Sequence, residues 1–109
     1  MGLSNAIRAA VSNWAKTLSQ EVARFGITVN TVLPGYTNTE RLTQLFSAKS
    51  EKTGQPLDAI TRETIASIPA GRLGDPQEIA AMVAFLATPA AAYINGVQIP
   101  VDGGRLGCL

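Results

Sequence analysis

The sequence predicts an α/β fold in the order helix, strand, helical region, helix, strand, with the two strands parallel. Three observations predict it. An apolar stripe at helical spacing runs from Leu3 to Val22, is closed by Gly26, and gives way at once to a β-branched run. A second helix signature opens at Asp75-Pro76-Gln77-Glu78 and is followed by the alternating Val97, Ile99 and Val101. Strands separated by helices are normally parallel, and parallel sheets are covered on both faces. A two-stranded parallel sheet makes a poor domain, so the chain reads as a single partial domain, residues 1–109, whose remaining strands come from elsewhere.

The first helix is expected over 3–24. Leu3, Ile7, Val11, Trp14, Leu18 and Val22 recur three or four residues apart, and Ala6, Ala9, Ala10 and Ala15 widen the stripe with small side chains. Trp14 lies on that stripe, which gives it a core or helix-interface role. Gly26 stands where a left-handed C-terminal residue belongs. A strand is expected over 27–33, stopped by Pro34-Gly35, with the Asn30 amide available to satisfy neighbouring backbone. Residues 36–69 are long for a connection and read as a substrate-binding lid. Within them a short helix is expected from Arg41 to Lys49, with Leu42, Leu45 and Phe46 as its apolar face, and another from Asp58 to Ile68, with Gly54 and Pro56 between.

A helix is expected over 76–87, because Asp75 caps it, Pro76 suits its first position and Glu78 bonds back toward the cap. Arg72, between two glycines, reads as a solvated charge or an ion-pair partner. The last strand is expected over 97–101. Pro100 demotes that strand or places it at an edge, and Asp102-Gly103-Gly104 forms the closing turn.

Composition narrows the function classes. The 109 residues are 46% hydrophobic and 16% charged, with a net charge of +1 and no run of Lys or Arg. A nucleic-acid partner needs clustered cations and is not expected. The absence of histidine removes the commonest general base and the commonest metal ligand together, and no metal site is expected. The single cysteine, Cys108, reads as a free tail thiol. No apolar run is long enough to cross a bilayer, and the first residues lack signal-peptide order, so no membrane partner and a cytoplasmic location are expected.

Four motifs, in register along the whole chain, resemble the short-chain dehydrogenase/reductase family. They are Lys16-Thr-Leu-Ser-Gln-Glu-Val-Ala23 with Gly26-Ile-Thr-Val-Asn30; Pro34-Gly35 with Thr39; Ile68-Pro-Ala-Gly-Arg-Leu-Gly-Asp-Pro-Gln-Glu-Ile-Ala80; and Tyr93-Ile-Asn-Gly96 with Val101-Asp-Gly-Gly104. The resemblance implies the C-terminal portion of a Rossmann-type doubly wound parallel sheet, the N-terminal nucleotide-binding half being absent, and a 3-oxoacyl-reductase-like reaction. That reaction is hydride transfer between NAD or NADP and a small carbonyl or alcohol substrate. It further implies that Pro34 and Gly35 form the turn beside the nicotinamide. The Thr37 backbone would approach the carboxamide, and Thr39 would offer its hydroxyl to the carboxamide or a phosphate. Ligands of open α/β sheets do bind outside the carboxyl ends of strands. Tyr36, next to this turn, is the candidate substrate contact.

The same resemblance exposes departures. The fingerprint Gly-x-x-x-Gly-x-Gly that holds the pyrophosphate does not occur in this chain. Aligning Lys16-Thr-Leu places Ser4 at the family's catalytic tyrosine and Arg8 at its lysine. A serine hydroxyl is far less acidic than a phenol and reaches less far, whereas Arg8 keeps the positive charge for a ribose or phosphate. No catalytic residue is therefore assigned, and the chain alone is expected to be inactive. Three readings stay open: a partial oxidoreductase awaiting an N-terminal half or acting in a homo-oligomer through the Leu3–Arg24 helix, a non-catalytic module that binds itself or a homologue by that helix, and an aggregation-prone remnant.

Overall fold

The computed structural model describes residues 2–107; Met1 and Cys108, the latter read above as a tail thiol, lie outside the described residues. Helix α1 (Gly2–Val22) runs into a 3₁₀ turn at Ala23–Phe25, and strand β1 covers Thr31–Pro34. Helices α2 (Glu40–Thr53) and α3 (Leu57–Ala66) follow, then α4 (Pro76–Leu86), a 3₁₀ turn at Pro89–Ala91 and strand β2 (Gln98–Val101). The two strands pair in one sheet. The Thr31 N–H donates to the Val97 carbonyl and the Gly35 N–H to the Val101 carbonyl. Both strands thus advance in the same direction, which makes the pairing parallel. The ladder uses the odd-numbered residues of β2, so the missing N–H of Pro100 falls on the outer edge, where it costs no pairing bond.

By their contacts the residues group into two compact units, where the sequence suggests one partial domain. One unit runs to Leu33 and resumes from Ala81 to Ile99. In it the 3₁₀ turn after α1 ends where Gly26 takes φ 74°, and the Gly26 N–H donates to Ala23 O. The expected strand over 27–33 is shorter than foreseen, because side-chain amides take over the backbone bonding ahead of Thr31. Asn95 Oδ1 accepts from the Val29 N–H at 2.9 Å, and Asn95 Nδ2 donates to the Ser19 carbonyl at 3.0 Å. Asn30 Nδ2 donates to Ile94 O at 3.0 Å and Asn30 Oδ1 accepts from the Val97 N–H at 3.2 Å. Ser19 is 1% exposed and donates to the Lys16 carbonyl at 2.7 Å. A Cβ at Gly96, which sits at φ 69°, would stand 2.5 Å from Ser19 Oγ, so only glycine lets the loop close on α1.

The other unit is Pro34–Ala80 with the chain from Pro100 onward. Residues 36–69, expected as a lid with short helices, hold α2 and α3. The first runs to Thr53 rather than Lys49, since Gly54 at φ 72° supplies its left-handed end and donates to Ser50 O. Leu42 of α2, Ile60 of α3 and Ile68 form the buried apolar centre. Asp75 Oδ1 accepts from the Gln77 N–H and Glu78 Oε2 from the Asp75 N–H, the reciprocal cap foreseen at the start of α4.

The asparagine network sets a stability expectation. Asn95→Ala leaves the Val29 N–H without its partner and takes the added amide donor from the Ser19 carbonyl, which costs about 2 kcal/mol by denaturant unfolding. Thr17→Ala, which loses one long exposed contact of 3.4 Å, stays within about 0.5 kcal/mol of the parent. Equal losses in the two variants would mean that the Asn95 bracket does not hold this unit together.

Candidate functional site

The chain leaves β1 at Pro34, and the next five residues are held from several directions. A Cβ at Gly35 would lie 2.6 Å from the Asp102 Cα and 2.7 Å from its Cβ, closer than real contacts allow. Glycine is therefore imposed here by close backbone approach. Beyond it, Thr37 forms a parallel bridge with Gly74. The Gly74 N–H donates to the Tyr36 carbonyl and the Asn38 N–H to the Gly74 carbonyl, both at 2.8 Å. In such a bridge the groups that flank the paired residue face the partner. The N–H and C=O of Thr37 itself are thus turned to the opposite edge. On that side the Thr39 hydroxyl meets the Thr37 carbonyl at 3.4 Å, and the Thr37 hydroxyl donates to Gly35 O at 3.2 Å.

Thr39 is the N-cap of α2, its Oγ1 accepting from the Leu42 N–H at 3.4 Å. Its hydroxyl has the capping task that helix chemistry asks of a threonine at that point, in addition to any role toward a ligand. Tyr36 is half-buried, and the Arg105 guanidinium lies 4.4 Å from its ring centroid while donating to its hydroxyl at 3.4 Å. A small cavity of about 80 Å³ opens beside it, lined by Tyr36, Arg72, Gly74, Glu78 and Asp102 among others. That volume holds a few waters.

The charges around Gly74 are strongly organised. Arg72 grips Glu78 with both terminal nitrogens, at 2.8 and 2.7 Å, and Nη1 also donates to Leu73 O at 3.1 Å. The Arg72 hydrogen bonds, helped by the Asp75 N–H, lower the Glu78 carboxyl from its ordinary 4.5 to about 2. The same pairing raises the Arg72 guanidinium above its usual value. Asp102 accepts from the Leu106 and Gly104 N–H groups, at 2.8 and 2.9 Å, and these bonds lower its carboxyl pKa.

Pro34, Gly35, Tyr36, Thr37 and Thr39 thus fall together in one unit. Ser4 and Arg8 belong to the other unit, exposed and one turn apart on α1, and Tyr93 is fully exposed there. Neither Gly74 nor Arg105 emerged from the sequence as a site residue. A bridge and a cation–π contact between residues distant in the chain leave no periodic signal. Among the described residues no cluster of His, Cys, Asp and Glu could hold a metal ion, and no helix is long and apolar enough to cross a membrane.

A family profile described as enoyl-(acyl carrier protein) reductase matches residues 2–105. The 3-oxoacyl-(acyl-carrier-protein) reductase of Vibrio cholerae is 46% identical over 99 residues, which are 91% of this chain and 36% of that enzyme. An NADPH-dependent reductase of bacilysin biosynthesis superposes with a TM-score of 0.85 at 36% identity, over 93% of this chain and 38% of that one. A variant of actinorhodin polyketide ketoreductase, solved with NADPH, gives a TM-score of 0.85 at 34% identity, over 92% and 38%. The chain therefore spans between a third and two fifths of the length of these relatives, and its α/β architecture corresponds to part of their Rossmann-type fold.

The Arg72–Glu78 grip has a pH signature. A carboxyl whose folded pKa lies below its unfolded value stabilises the fold above about pH 4.5, and that contribution is lost as pH falls toward about 2. A ¹³C titration of the Glu78 carboxyl is expected to show its midpoint near about 2 in the native chain and a return toward 4.5 in Arg72→Gln. A native midpoint near 4.5 would show that the two-pronged pair does not form in solution.

Proposed function

The chain belongs to the short-chain dehydrogenase/reductase family, with a 3-oxoacyl-reductase-like sequence, and on that footing we propose that its Pro34–Thr39 segment holds the nicotinamide end of NAD or NADP. Such a cofactor, when bound, supplies the hydride exchanged with a small carbonyl or secondary-alcohol substrate. The observation that carries this reading is the orientation of Thr37. A carboxamide presents one acceptor oxygen and an NH₂ donor, and the Thr37 N–H and C=O face one edge together as a matching donor and acceptor. Pro34 ends the strand, Gly35 admits close backbone approach, and the Thr39 hydroxyl stands at the same edge. Tyr36, whose ring is packed under Arg105, borders the turn as the candidate substrate contact. The substrate class that fits is a ketone, including the 3-oxoacyl-(acyl-carrier-protein) that the Vibrio relative's name specifies.

Ser4 and Arg8 stand at the positions of the family's tyrosine and lysine. Ser4 keeps a hydroxyl without phenolic acidity, and Arg8 keeps a cation suited to a ribose or phosphate. With no Gly-x-x-x-Gly-x-Gly in the sequence, the chain by itself is proposed to be inactive and to need a complementing N-terminal half. A second reading, a non-catalytic interaction module, draws on α1. Its stripe of Leu3, Ile7, Val11 and Trp14 is exposed at 78, 56, 54 and 63%, a surface suited to a homo-oligomer or a homologous chain.

Calorimetry with NADH and NADPH on the purified chain, alongside its mass in solution, tests the proposal. Absence of saturable micromolar binding, with a dimer or larger species, is the expected result. Recovery of NADPH-dependent reduction of an acetoacetyl thioester on adding an N-terminal half supports the oxidoreductase reading. Loss of a homologue's activity on adding this chain supports the module instead. Micromolar binding by the chain alone would overturn the claim of incompetence.

A further inference from the structure

Gly74 is the residue against which the Thr37 bridge is built, and both of its neighbours in sequence are tied down by one ion pair. Arg72 Nη1 donates to the carbonyl of Leu73, on one side of Gly74. Glu78 Oε2 accepts from the N–H of Asp75, on the other side. The two side chains then lock to each other at 2.8 and 2.7 Å. The peptide groups before and after Gly74 are therefore fixed, while its own N–H and C=O are committed to Tyr36 and Asn38. A Cβ at Gly74 would find ordinary contacts of 3.7 Å or more, so the glycine is not what sets this position. The pair does.

We propose that Arg72 and Glu78 are positioning residues that fix Gly74 and, through its bridge, orient the Thr37 backbone toward the nicotinamide carboxamide. The proposal rests on the reading of Thr37 given above. It also explains why a solvent-exposed ion pair is built with two-pronged geometry. At 60 and 43% side-chain exposure, solvent screens the pair and reduces what it adds to global stability. Its value here lies in geometry. A lysine at 72 would keep the charge but present a single ammonium, which cannot grip both Glu78 oxygens as a planar fork and still reach Leu73 O.

Amide hydrogen exchange on the whole chain, with no nucleotide present, tests the positioning directly. In Arg72→Met, exchange at Gly74 and Asn38 is expected to accelerate by about tenfold or more, while Gly35, bonded to Val101, and Gly96, bonded to Val29, keep their rates. Arg72→Lys is expected to fall between Met and the parent, since it removes the fork and retains the charge. Unchanged rates at Gly74 and Asn38 in both variants would overturn the proposal. So would a uniform acceleration that includes Gly35 and Gly96, because the pair would then be merely stabilising. A titration with nicotinamide mononucleotide separates the two layers. If exchange responds selectively but the Thr37 amide of the parent chain ignores the nucleotide, the cofactor reading fails, and with it the purpose assigned to the bridge; if Thr37 responds but exchange does not, the positioning claim alone fails.

Discussion

At the carboxyl end of the sheet, the backbone at Gly35 comes so near Asp102 that a methyl group there would overlap the Asp102 Cα. This approach is where the geometry of the loop begins. The Gly35 N–H reaches the Val101 carbonyl, and the Asp102 carboxylate accepts N–H bonds from its own turn at Gly104 and Leu106. Polar bonding is thereby completed within the turn, and the loop after β1 leaves in a defined direction. Two residues later Thr37 is caught by Gly74, and the loop is fixed at both ends of a short span. A donor and acceptor presented on one edge by so short a segment is what recognition of a planar amide requires.

The unit that contains α1 is held by different means. Asn30 and Asn95 use both ends of their amides to join backbone groups that lie far apart in sequence. Such bonds matter less for what each adds than for what its loss would expose, since an orphaned buried group carries its full desolvation cost. Ser19, almost completely buried, directs its hydroxyl to Lys16 O, and Gly96 packs against it without a side chain. Leu3, Ile7, Val11 and Trp14 of the α1 stripe take no part in this bracket and stay exposed. Polar side chains join its distant segments, and the amino-terminal part of the α1 stripe faces outward.

Much of this was legible in the residues, and the reasons for the remainder are physical. The stripe from Leu3 to Val22 and the cap at Asp75 are local patterns, and helices depend on local patterns. The β-branched run from Ile27 reads as a strand by propensity alone, yet pairing starts at Thr31, because distant asparagine side chains bond to the preceding backbone. Propensity carries no record of such competition. Helix α2 extends past Lys49 to Thr53, where Gly54 supplies the left-handed stop that the sequence shows as a mere interruption. At the candidate site, Pro34-Gly35 and Thr39 were visible through a family resemblance and not through periodicity. The bridge to Gly74 and the stacking of Arg105 on Tyr36 join residues far apart in the chain, and no spacing rule reaches that distance.

The central claim is that the Thr37 backbone reads the carboxamide of a nicotinamide. Its most direct test is an ¹⁵N–¹H NMR titration of the chain with millimolar nicotinamide mononucleotide, set against the same ligand carrying a carboxylic acid in place of the carboxamide. A concentration-dependent shift centred on the Thr37 amide with the carboxamide ligand, and its loss with the acid, is the predicted result. Identical responses to the two ligands, or shifts that spare Thr37 while appearing elsewhere, would contradict the account.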